Sequence, residues 1–123
     1  MMPTASLKSP SCLPVAYRGE VVAYATSRSF FLVDSYERLP DSDPHKRMVL
    51  LMCRYAGDVL SGVVPGPYRD ERGELYARSA LIQRHDLLER LAAGPVDYAE
   101  LADRYGVPVE QVRLRVAEVT GER

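Results

Sequence analysis

The chain has 123 residues, 16 basic and 17 acidic, with a formal net charge of −1. That length is one domain with a modest core, and the balanced charge gives no global electrostatic case for nucleic acid or an anionic membrane. Two cysteines, Cys12 and Cys53, are too few for a disulfide framework, and the longest apolar run, Met48 to Cys53, is far short of a membrane span. No charged n-region with a following apolar run opens the chain, so a reduced cytoplasmic setting is expected.

In chain order, residues 1–14 are rich in Ser, Thr and Pro and read as a flexible N-terminal segment ahead of a single domain over 15–123. Val21, Val22, Tyr24 and Thr26, then Phe30 to Val33, are two runs of strand formers separated by Ser27-Arg28-Ser29. They predict a β-hairpin, with a third short strand at Val15 to Arg18. Ser42-Asp43-Pro44 announces a helix by a polar cap followed by proline in the first turn. That helix is expected from Pro44 to Ser61. Apolar residues lie nearly all round it, as in a central buried helix, and Gly62 ends it. Val64-Pro65-Gly66-Pro67 is a rigid loop. Further helices are expected over Asp70–Gln83 and Asp86–Ala93. Asp97 then caps a fourth, with Glu100 in the reciprocal position. Gly106 closes it and Pro108 opens a fifth helix to Val119. A hairpin followed by helices makes the fold class α+β: a short antiparallel hairpin or three-stranded sheet packed on a helical bundle.

Arg54-Tyr55-Ala56-Gly57-Asp58 lies on the central helix, and Asp70 to Ala77 opens the next. Leu81-Ile82 and Leu101-Ala102-Asp103-Arg104-Tyr105-Gly106-Val107 follow. In order and spacing, over roughly Val15 to Val119, these segments resemble the ImmA/IrrE family of zinc peptidases of mobile elements, phage immunity and stress regulation. That family has a hairpin, a helix with H-E-x-G-H, a helix with E-x-x-A-[DN]-x-[FW]-A, and a segment L-A-x-x-[FY]-x-V. The resemblance implies a zincin-like fold with a helix-turn-helix-like hairpin over 97–119.

Carried over by position, Arg54 stands at the first zinc histidine and Tyr55 at the catalytic glutamate. Asp58 stands at the second histidine and Asp70 at the third ligand. Guanidinium has no lone pair for a metal, and Tyr is a poor base at neutral pH. The resemblance therefore implies a pseudopeptidase with no metal, no cofactor and no catalytic residues. One expectation is that the Arg54 guanidinium occupies the metal's place, held by Asp58 and Asp70. A cleft of Arg54, Tyr55, Asp58, Asp70 and Glu74 would then bind a protein partner such as a repressor or host factor. His45 and His85 read as surface residues. The C-terminal pair has an alternative use as a DNA reader through Gln111, Arg113 and Arg115. Its six acidic against four basic residues from Pro95 onward oppose that use and favour packing. An altered metal-dependent hydrolase is the third reading.

Overall fold

The structure is a computed structural model that describes residues 12–121. It is α+β, with a three-stranded antiparallel sheet of order β1-β2-β3 and six helices. The strands are β1 (Leu13–Tyr17), β2 (Glu20–Ala25) and β3 (Phe30–Leu32). The helices are α1 (Asp34–Glu37), α2 (Pro44–Leu60), α3 (Asp70–Leu81), α4 (Arg84–Ala92), α5 (Tyr98–Tyr105) and α6 (Val109–Thr120). The expected flexible segment falls on residues 1–11, outside the described residues, except that Leu13 and Pro14 already belong to β1.

Local chemistry accounts for most boundaries. Arg18 and Gly19, both with positive φ, turn β1 into β2. The β2–β3 turn lacks a glycine pair and is held by the Thr26 hydroxyl instead. Its Oγ1 accepts from Arg28 N–H at 3.2 Å and Ser29 N–H at 3.0 Å. Asp43 caps α2, its carboxylate accepting from His45 N–H and Lys46 N–H. Asp97 caps α5 through Ala99 N–H, but Glu100 makes no reciprocal bond among the described residues. Gly106, at φ 68°, is the left-handed end of α5.

The four-residue helix α1 was not expected. A lone turn of helix leaves its C-terminal carbonyls unpartnered. Lys46 supplies the partners: its Nζ donates to Leu39 O at 2.8 Å and Glu37 O at 3.2 Å, and it pairs with Asp41. This buries a lysine that pattern alone would leave in solvent.

Two apolar clusters form. The first joins the inner face of the sheet (Val15, Tyr17, Ala23, Ala25) to Met48, Val49, Met52, Cys53 and Ala56 of α2 and Ala77 of α3. The second joins Ile82, Leu87, Leu101, Val107, Val112 and Val119 of the C-terminal helices. Leu81 packs against both. Helix α2 is not buried all round. Residues a turn apart share a face, so the side carrying Met48, Met52 and Ala56 meets the core while Arg54 points to solvent.

Gly73 fixes how closely α3 meets the preceding loop. A Cβ there would stand 2.5 Å from Tyr68 Oη and 3.0 Å from its Cε1. Gly73→Ala is expected to destabilise the fold by about 1–3 kcal/mol through overpacking, although alanine has the better helix propensity. Chemical denaturation at neutral pH measures this.

Candidate functional site

The five positions expected to share a cleft separate into different environments. Arg54 is exposed and Asp58 half-buried, both on the solvent side of α2. Tyr55 lies a third of a turn round, where its ring packs against Tyr68 (centroids 5.8 Å apart) and Tyr76 (5.2 Å) between α2 and α3. Asp70 is turned to the sheet, its Oδ1 accepting from Ala16 N–H at 3.1 Å. Glu74 faces α6, its Oε2 accepting from Gln111 Nε2 at 2.9 Å and Arg78 Nη1 at 3.4 Å.

Arg54 makes no ion pair within 4 Å to Asp58, Asp70 or any other described carboxylate. The expected exchange of a metal for the Arg54 guanidinium is therefore corrected. At 100° per residue, the side of α2 that meets α3 passes through Tyr55, so Arg54 and Asp58 turn away from Asp70. Tyr68 packs against Tyr55 of α2, and its Oη is buried without a hydrogen-bond partner among the described residues. Burial first, then the Asp70 charge, pushes that phenol far above its ordinary range, so it stays neutral.

What Arg54 and Asp58 do line is a recess of about 520 Å3 between the β2–β3 turn and α2. Arg28 and Phe30 come from the turn and β3, and Leu50 and Leu51 from the helix. Gly57 allows this approach, since a Cβ there would lie 3.3 Å from the Thr26 carbonyl oxygen. Neither guanidinium, nor the Asp58 carboxylate, bonds another described side chain. The recess thus combines aliphatic walls with two cations and one anion whose hydrogen-bonding capacity is unspent. Cys53 also reaches it, but burial pushes the thiol up to about 12, which removes it as a nucleophile. The turn's part in this recess had no signal in the sequence. Only the pairing of β2 with β3 brings Arg28 beside Arg54.

At the C-terminal pair, Gln111 is 4% exposed and receives Arg78 Nη1 at 2.8 Å on its Oε1. Arg115 Nε donates to Ile82 O at 2.8 Å, and its Nη1 to Ser79 Oγ at 3.3 Å. Arg113 lies 5.3 Å over the Tyr98 ring. The set Gln111, Arg113 and Arg115, considered as a DNA reader, is thus corrected: two of the three side chains are committed to α3 and the third stacks within its own hairpin. Arg78 also donates through Nε to Glu118 Oε2 at 3.0 Å and pairs with it through Nη2. One nearly buried guanidinium therefore binds Glu74, Gln111 and Glu118 together.

His85 is exposed beside Glu89. His45 departs from the surface reading. It is half-buried, 3.0 Å from Tyr17 Oη through Nδ1, and Arg18 Nη1 lies 3.4 Å from its Nε2. A guanidinium only donates, so Nε2 accepts and the neutral ring donates from Nδ1 to Tyr17. Burial, with Arg18 second, lowers the His45 pKa. Among the described residues no three His, Cys, Asp or Glu side chains are grouped to hold a metal ion. Comparisons with protein-family models, curated proteins and solved structures give no significant match.

Arg78→Ala removes the shared partner of the half-buried Glu74 and Glu118 carboxylates and of buried Gln111, and a loss of about 1–3 kcal/mol is expected, read by urea unfolding. His45 has a folded-state pKa below its ordinary value of about 6.5. Its contribution to stability is therefore complete above that value and lost as pH falls through the lowered folded value. Melting temperatures from pH 7 down to pH 5 should fall less steeply for His45→Asn than for the parent chain.

Proposed function

We propose that this chain is a non-catalytic, cytoplasmic regulatory module that binds a protein partner in the recess between the β2–β3 turn and α2. The unspent charges of Arg28, Arg54 and Asp58 beside Phe30, Leu50 and Leu51 carry this reading. The other polar groups expected to serve a site are spent within the chain: Asp70 on β1, Glu74 and Gln111 on Arg78, Arg115 on the end of α3. A recess with aliphatic walls and three charges unpaired among the described residues suits a partner's side chains, where apolar contact supplies affinity and charge fixes register.

The pseudopeptidase character, and a setting in a phage, prophage or other mobile element with a repressor or host protein as partner, rest on the resemblance to the ImmA/IrrE family. Arg54, Tyr55, Asp58 and Asp70 offer no histidine nitrogen to bind zinc, and Tyr55 stands where the family's catalytic glutamate would be. No helix among the described residues is long and apolar enough to cross a membrane.

A photo-crosslinking residue at Leu50, in the organism that carries the gene, tests the reading. A discrete protein adduct is expected from Leu50, lost when Arg54→Glu is added and absent from a control at Glu110 on the exposed side of α6. An adduct indifferent to Arg54, or none from the recess, would remove the proposal. Zinc-dependent peptide hydrolysis by the purified chain would remove its non-catalytic half.

A further inference from the structure

Along α2 the lining of the recess changes character in a fixed order. Leu50 and Leu51 come first, Arg54 stands one turn on, and Asp58 a further turn on. At the helical rise, Leu50, Arg54 and Asp58 follow one another at intervals of about 6 Å. The other wall supplies the Phe30 ring from β3 and Arg28 from the turn. The lining thus carries two guanidinia against one carboxylate, and none of the three is in an ion pair within 4 Å among the described residues. An occupant complementary to it is apolar at one end, acidic in the middle and basic at the other. Size decides its backbone form. Two turns of helix, about 10 Å across and about 12 Å long, fill about 900 Å3, more than the recess of about 520 Å3. An extended chain returns a side chain to the same face every two residues, about 6.6 Å, which matches one turn of α2.

We propose that the recess takes an extended segment of a partner protein that presents an apolar, an acidic and a basic residue at alternate positions. The apolar side chain lies against Phe30, Leu50 and Leu51. The carboxylate meets the Arg54 guanidinium, with Arg28 adding to the positive field, and the partner's Lys or Arg meets Asp58. Charge fixes the register. A slip of two residues sets the partner's carboxylate against Asp58 or its cation against Arg54, and a slip of one turns all three side chains out of the recess. The inference rests on the reading of the recess as a partner-binding site, and adds to it the sequence that the partner presents.

Selection of short random peptides displayed on phage against the full chain tests it. Enrichment of an apolar, an acidic and a basic residue at alternate positions is expected. A fluorescein-labelled peptide of that pattern should bind Arg54→Glu about tenfold more weakly than the parent chain, read by fluorescence anisotropy. Exchanging the peptide's acidic residue for lysine should restore binding to that variant. Selection against Arg54→Glu with Asp58→Lys should return the two charges in the opposite order. Both positions lie on the solvent side of α2, so the variants should keep the parent melting temperature. Enrichment at the helical spacing of four residues overturns the inference, as do peptides that crosslink to Leu50 yet ignore reversal of Arg54 and Asp58. Either result leaves the recess as a binding site. No enriched peptide also overturns the inference, and the crosslink at Leu50 in the native organism then decides separately whether the recess binds a partner.

Discussion

The Arg78 guanidinium is the point on which the two halves of the molecule depend. The sheet with α2 and α3 makes one apolar cluster and the C-terminal helices make another, with Leu81 alone among the described residues packing against both. A seam between two clusters of this size is narrow for apolar contact alone. Arg78 crosses it, binding Glu74 on its own helix and Gln111 and Glu118 on α6. Because the guanidinium is 7% exposed, each of its donors needs a fixed acceptor, and only one arrangement of α6 against α3 supplies all of them. Arg115, reaching back to Ile82 O, closes the same seam from the other helix.

That seam determines which groups are left for function. Charges and amides that could serve a cleft or a DNA surface are drawn into holding α6 and β1 in place. Arg28, Arg54 and Asp58, around the β2–β3 turn and the solvent side of α2, are not drawn into that seam. The sheet repeats the division at its edges: Asp70 and α3 seal β1, whereas β3 carries the exposed Phe31 beside Tyr24 of β2.

The helices were legible in the sequence because their signals are short-range. Asp43 before Pro44, Asp97 at the start of α5 and Gly106 at its end each act within a few residues, so α2, α5 and α6 begin and end close to where their caps place them. The strands were legible from their β-branched and aromatic runs. Helix α1 was not, because its carbonyls are satisfied by Lys46 from the next helix, a contact that propensity cannot register. His45 was misread for the same reason: Tyr17 and Arg18, its partners, come from the first hairpin.

The sequence by itself determined the order of elements, their caps and the α+β class, since these follow from hydrophobic period, turn residues and hydrogen bonds made within a few residues. Only the tertiary structure decided which side chains are free. Positions 54, 58 and 70 have a spacing that suggests convergence, but the rotation of α2 about its axis is set by Met52 and Ala56 seeking the core, and that rotation carries Arg54 to the recess that Arg28 also lines. Spacing along a helix fixes angles relative to its own axis. The direction of that axis's buried side is a property of everything packed against it.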